Sequence, residues 1–261
     1  MGFAVGSFVA NNAHVIPGWV SLCSKTAPLT SIVLVMAPLP TIQKISQERS
    51  VGSLPLLPYS SLVGNAFVWV IYGTNIKSFK DVLCVVQNFI SQTLWLGLLK
   101  SDAKVYIPNT VGVILGTYYF SQYMKYCQKS PRSSSSGLIE QHLLGVAALI
   151  SCTLLLTATF TRKVATSIIG KLGVLLCILL FASPLSTLKK VLETKSAKSI
   201  PLPFTIACML NCFLWSVAGV GDMKDFNIYA PNILGLASSI AQLMLKLMYG
   251  DGEKTTFQLP L

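Results

Sequence analysis

The chain is short of charge, and above all of acid. Only 11% of its 261 residues are charged, with nine Asp and Glu against twenty Lys and Arg, where soluble domains carry about 25%. None of the acids falls in the core of an apolar run. Glu48, Asp81, Asp102, Glu140, Glu193, Asp222, Asp225, Asp251 and Glu253 all sit in connections, at the ends of runs or in the tail. Pumps and symporters relay protons through intramembrane acids, so this absence argues for downhill, uncoupled movement of a neutral solute. Histidine is as scarce: only His14 and His142 occur, and neither neighbours a nucleophile pattern, which counts against an intramembrane hydrolase. Of the seven cysteines, Cys208 and Cys212 share a helix face at i, i+4, but no His or carboxylate joins them. A metal site is not expected there. The chain reads as a non-enzyme without a cofactor or metal.

What it has in quantity is apolar residues, 52% of the total, with a mean hydropathy of +0.63. Apolar runs near 20 residues recur along its length, at about 23–45, 54–73, 104–126, 139–160, 166–188, 201–220 and 227–249. This is the pattern of a polytopic helical membrane protein. The net charge of +11 then reads as topology signal and headgroup contact, and not as a nucleic-acid surface. Lys and Arg favour the side that holds the connections at 43–53, 125–137 and 189–199 and the tail, by eleven to nine. That places the N-terminus outside and the C-terminus in the cytoplasm, with the plasma membrane the expected location and an endomembrane the alternative.

The chain also repeats itself. Ala37-Pro38-Leu39-Pro40-Thr41, Ser53-Leu54-Pro55-Leu56, Asn65, Phe67, Trp69 and Gly73 recur 146 residues later. Their copies are Ser183-Pro184-Leu185-Ser186-Thr187, Ser199-Ile200-Pro201-Leu202, Asn211, Phe213, Trp215 and Gly219, without a gap. The run at 139–160 has no copy. A three-helix unit ends opposite its start, so one unrepeated crossing restores the orientation for a second, parallel unit. The expected fold is therefore all-α, seven transmembrane helices as two parallel three-helix bundles plus one linker helix (3+1+3). Substrate sites of such repeats lie between the halves near the midplane. The expected division is 1–22 as an N-terminal segment, 23–126 as the first repeat and 127–165 as linker and inversion helix. The second repeat follows at 166–250 and a cytoplasmic tail at 251–261.

Agreement returns at Pro108-Asn109 and Gly112, matching Pro231-Asn232 and Gly235 at an offset of 123. The first copy is thus 23 residues longer, an insertion at about 74–97. Val82–Leu99 within it is apolar but interrupted by Gln87, Asn88 and Gln92, and is expected not to span. A single crossing there would invert everything downstream.

The polar groups left for the core are amides and indoles. Asn109 and Asn232 stand at equivalent points and offer donors and acceptors suited to sugar hydroxyls; Trp69 and Trp215 could stack on a pyranose ring. Helix glue and interfacial packing are the plainer reading of each alone; as a symmetric quartet they favour a site. Pro38, Pro58, Pro184 and Pro201 fall in or at the edge of spans, where proline kinks a helix or opens one. Gly112-x-x-x-Gly116 permits close packing. Tyr118, Tyr119, Tyr123 and Tyr126 are expected to pack or to face the interface.

Ala37-Pro38-Leu39-Pro40-Thr41 with Leu57-Pro58-Tyr59, Ala182-Ser183-Pro184-Leu185-Ser186 with Thr194-Lys195-Ser196 and Pro201, and Pro231-Asn232-x-x-Gly235 with Gln242-Leu243 resemble the SWEET sugar transporters. The resemblance covers about 24–250 apart from the insertion. Neither half has the Pro-Gln dipeptide of lysosomal PQ-loop transporters. The resemblance implies bidirectional facilitated diffusion of mono- or disaccharides. It implies sugar contacts at Asn109, Asn232, Trp69 and Trp215, hinges at Pro38, Pro58, Pro184 and Pro201, and an outward gate at Tyr72 and Asp225. Two tryptophans leave limited room, which favours a monosaccharide such as glucose. The lipid bilayer is the other implied partner, and a homo-oligomer is compatible with all of this. A non-sugar PQ-loop-type carrier and a non-transporting seven-helix scaffold or receptor are the alternatives.

Overall fold

The computed structural model describes residues 16–52, 54–74, 103–127, 136–180 and 182–251. The insertion at 74–97 lies outside them but for Thr74. The helices are α1 (Gly18–Met36), α2 (Leu39–Glu48), α3 (Leu57–Thr74), α4 (Ala103–Cys127), α5 (Ser136–Thr159), α6 (Arg162–Leu180), α7 (Ala182–Thr194), α8 (Leu202–Val217) and α9 (Phe226–Tyr249). A π-helical turn, Ala218–Asp222, extends α8. α1–α2 and α6–α7 are one span each, which gives the seven of the 3+1+3 arrangement.

Two boundaries differ from the sequence reading. The first span starts at Gly18, behind a Pro17 N-cap, five residues before the expected 23. The fifth starts at Arg162, not 166. In both cases polar or interfacial residues, Trp19 and Arg162-Lys163, continue the helix past the apolar run.

Five of the seven spans are long and apolar enough to cross a membrane: Gly18–Glu48, Leu138–Thr159, Arg162–Thr194, Leu202–Asp222 and Phe226–Tyr249. The other two, α3 and α4, are the helices with the most buried residues. Ten of the eighteen residues of α3 are buried, so Ser60, Ser61 and Asn65 cost it little.

In each half the third helix packs between the other two: α4 lies against α1 and α3, and α9 against α6 and α8. Across the halves, α1 meets α8 and α3 meets α6, pairs that exchange under the repeat. This is the arrangement of two parallel repeats about an axis along the membrane normal.

Glycine sets the closest approaches, and it does so twice. A Cβ on Gly73 would lie 2.9 Å from the backbone nitrogen of Tyr106, and one on Gly219 2.9 Å from that of Tyr229. Gly112 and Gly116 seat α4 on Ala66 and on Leu62 and Val63 of α3 in the same way. The contacts fix α3 and α4 as antiparallel, with the end of α3 beside the start of α4. The chain therefore leaves α3 and enters α4 on one side of the bundle, and a single crossing between them does not fit.

At the other end Tyr126 Oη lies 3.3 Å from Ser46 Oγ, Ala197 N donates to Gly250 O at 2.8 Å and Lys246 Nζ to Ala197 O at 3.1 Å. These bonds hold the ends of α4 and α9 against the Lys- and Arg-bearing turns of their own halves, forming a basic face. Tyr119, Tyr123 and Tyr126 are buried in the first half's core with Tyr59, Ile42 and Ile45. Tyr118 is exposed.

Candidate functional site

A cavity of about 190 Å³ lies between the halves, and Asn109, Asn232, Trp69 and Trp215 all line it. Asn109 and Asn232 are held alike. The Nδ2 of Asn109 donates to Val105 O at 2.8 Å, and that of Asn232 to Ile228 O at 2.7 Å. Each follows a helix-interior proline, Pro108 or Pro231, which cannot donate to the preceding turn. The back-bond fixes the amide rotamer against its own helix. One N–H and the Oδ1 of each remain for a solute.

The indoles are also placed alike, with both tryptophans 7% exposed. Trp69 lies over Gly173, where a Cβ would come within 2.9 Å of the ring. Trp215 shares its cluster with Ala27, the residue that precedes Gly173 by the same 146 positions.

The cavity contains four polar residues that the sequence reading did not single out as site residues: Ser31, Asn65, Cys177 and Asn211. Asn211 Oδ1 accepts from Thr30 Oγ1 at 2.9 Å and Ser31 Oγ at 2.8 Å, and Trp215 Nε1 donates to Ser31 Oγ at 2.7 Å. In the other half Cys177 Sγ approaches Asn65 Oδ1 at 3.7 Å. The repeat offset was the signal available: it pairs Asn65 with Asn211 and, extended upstream, Ser31 with Cys177. No Asp, Glu, Lys, Arg or His lines the cavity.

Two clusters join the halves on the side away from the basic face. Tyr72 Oη donates to Asp225 Oδ2 at 2.6 Å, and Asn227 Nδ2 donates to Tyr72 Oη at 3.0 Å. Asp225 also caps α9, accepting from Asn227 N at 2.9 Å. Gly170 makes room here, since a Cβ would stand 2.6 Å from both Tyr72 and Asn227. In the second cluster Lys104 Nζ lies 2.5 Å from Asp222 Oδ2 and 3.0 Å from Ser24 Oγ, and Ser24 also bonds Asp222. The π-helical turn presents Asp222, with Met223 N donating to Ala218 O at 2.9 Å.

The prolines divide into two pairs. At Pro38 the first span breaks between α1 and α2, with Pro38 the N-cap of α2. In the corresponding span Pro184 lies in the first turn of α7. Pro58 lies in the first turn of α3 and Pro201 is the N-cap of α8, positions where the missing N–H has no partner to lose.

Fold and cavity together define a helical membrane protein of two parallel triple-helix repeats enclosing a neutral, amide- and indole-lined site. A family model described as "Sugar efflux transporter for intercellular exchange" matches residues 21–94, 76–131 and 167–254, and the chain belongs to that family, the MtN3/SWEET proteins. The two matches in the first half overlap over 76–94, inside the extra length.

Similar proteins include bidirectional sugar transporter SWEET12 of Oryza sativa subsp. japonica, 24% identical over 87% of this chain and 67% of the relative. SWEET14 of Arabidopsis thaliana is 28% identical over 85% and 70%, and SWEET7 of the same plant 26% over 98% and 85%. In fold the chain is similar to "The 3.7 A resolution structure of a eukaryotic SWEET transporter", with a TM-score of 0.68 at 19% identity, over 88% of this chain and 98% of that one.

Proposed function

We propose that the protein carries a neutral monosaccharide, glucose-like in size, in both directions and without ion coupling. The carrying observation is the cavity itself: two equivalent asparagines with free amide atoms and two equivalent indoles, between halves related as repeats, with no ionisable carboxylate or base in the lining. The volume, about 190 Å³, is below the roughly 300–1,000 Å³ of pockets for drug-sized ligands and favours one ring over two. The family's shared description as sugar transporters supports the substrate class.

In this reading Asn109 and Asn232 hold the sugar hydroxyls while Trp69 and Trp215 cover its apolar faces. The Tyr72–Asp225 bond is the gate on the outer side, closed here. Pro38, at the break between α1 and α2, and its counterpart Pro184 are the hinges about which the halves rock, with Pro58 and Pro201 fixing the starts of the helices beside them. The plasma membrane, with the basic face in the cytoplasm and the N-terminus outside, is the corresponding location.

The test is uptake of radiolabelled glucose by yeast that lacks its own hexose carriers. The wild type should accumulate glucose to equilibrium and no further, and Asn232→Ala should lose at least ten-fold in rate at equal surface amount. A wild type that reaches the surface and moves none of several mono- and disaccharides would sink the proposal. Saturable counterflow would exclude a scaffold or receptor role.

A further inference from the structure

A second cavity, of about 380 Å³ against 190 Å³ for the first, lies where the linker helix α5 meets α3 and α6. Two of the leucines at its rim, Leu57 and Leu179, are 61% and 60% exposed. In a chain that crosses the bilayer such a rim faces hydrocarbon, so the cavity opens sideways into lipid; Asn65 is the residue it shares with the lining of the first cavity.

Its floor is polar at one end. Ser60 Oγ lies 2.7 Å from His142 Nδ1, and the other ring nitrogen, Nε2, has no partner among the described residues. An unpaired ring nitrogen facing hydrocarbon is costly. Which tautomer it holds decides whether Nε2 donates or accepts; a hydroxyl can do either, whereas an ester carbonyl or an ammonium can do only one. No Lys or Arg lines the cavity, so nothing there attracts a phosphate.

The rest of the wall is mostly apolar, with Ser61, Asn65 and Gln141 as its other polar residues, and partly flat. A Cβ at Gly145 would meet nothing within 4 Å, leaving a bare strip of helix beside Val146, Leu149 and Leu176. From His142 to Leu149 α5 rises about 10 Å, starting from the basic face. A bound amphiphile would thus have its polar group towards the headgroups and its body deeper, against a strip without side chains that suits a rigid planar body.

We propose that this groove binds a membrane sterol, with the sterol hydroxyl on His142 and the ring system along Gly145. The groove is walled by α3, α5 and α6, so the sterol touches both halves.

The test uses the full chain in phosphatidylcholine nanodiscs with a diazirine-bearing cholesterol analogue, read by mass spectrometry of the photo-adducts. Adducts should fall on residues 57–65 and 141–149 and be competed by excess cholesterol. Gly145→Phe, whose Cβ would meet nothing within 4 Å and whose ring would occupy the groove, should cut them at least ten-fold; His142→Leu should cut them too, and serves if Gly145→Phe does not fold. Adducts spread evenly over the lipid-facing helices, adducts indifferent to either substitution, or equal labelling of the groove by a diazirine-bearing phosphatidylcholine would each overturn the proposal.

Discussion

Ser31 and Cys177 occupy the same place in the two halves, and each stands against an indole, one with a hydroxyl and the other with a thiol. Ser31 Oγ accepts from Trp215 at 2.7 Å and donates to Asn211 at 2.8 Å, while Cys177 meets Asn65 at 3.7 Å and Trp69 through a thiol, a weaker partner than a hydroxyl. The cavity is symmetric in its asparagines and tryptophans, and asymmetric in the side chains that tether them.

That asymmetry gives the first prediction. Cys177→Ser adds a hydroxyl that can serve Trp69 and Asn65 as Ser31 serves Trp215 and Asn211. A hydrogen bond is worth about 0.5–1.5 kcal/mol, so the sugar KM should fall by roughly two- to ten-fold if a better-ordered wall binds better. Ser31→Ala should raise it by a similar factor. Concentration series of uptake check both, and no change in either variant would mean that the tether does not act on the solute.

The second concerns the outer closure. Tyr72→Phe removes one hydroxyl and with it two cross-half hydrogen bonds, each worth about 0.6 kcal/mol in a membrane protein. The loss of about 1 kcal/mol shifts the balance towards the outward-open form roughly five-fold. In a variant whose sole cysteine is Cys177, an impermeant thiol reagent applied to right-side-out vesicles should label it correspondingly faster.

The third is a charge swap. Lys104 and Asp222 join α4 to the π-helical turn, with side chains 37% and 18% exposed, so solvent screens part of their attraction. Asp222→Lys alone should lower the melting temperature of the purified protein. The double variant Lys104→Asp, Asp222→Lys should recover most of the loss, and failure to recover would show that Ser24 or the turn matters more than the ion pair.

The fourth is that Gly73→Ala and Gly219→Ala destabilise to a similar degree, although their sequence surroundings differ. Each places a Cβ 2.9 Å from a tyrosine backbone nitrogen, and overpacking of this kind costs about 1–3 kcal/mol. Thermal unfolding in detergent should fall by several degrees for both.

The fifth follows from the missing carboxylates. With none lining the cavity, a protonophore should leave the initial rate of uptake unchanged. A large drop would require a proton-carrying residue elsewhere on the route.

Much of this could be read from the chain because the repeat aligns without gaps. An offset of 146 locates Trp69 opposite Trp215, and an offset of 123 locates Asn109 opposite Asn232. Tertiary contact then decided what the offset alone could not. Ser31 and Cys177 differ in residue type, so identity between copies does not flag them, though their equivalence does. Asn65 and Asn211 were matched between copies, yet polarity alone does not separate a cavity wall from a helix seam. The π-helical turn at Ala218–Asp222 leaves no periodicity to detect, and without it there was no reason to aim Asp222 at Lys104 and Ser24. The proline pattern showed where helices change course but not that Pro58 and Pro201 begin helices while the first span breaks beside Pro38.

The close seat of Gly73 on Tyr106 has one more consequence. α3 and α4 are stapled together where the chain leaves one and joins the other, so the sequence from 75 to 102 joins two fixed ends. Lengthening a connection between fixed ends costs little, about 0.6 kcal/mol for each doubling. A reporter domain or epitope spliced into that stretch should leave both halves folded and mark one face of the membrane, a handle for sidedness that the compact second copy, with its tight turn from Gly219 to Asp225, does not offer.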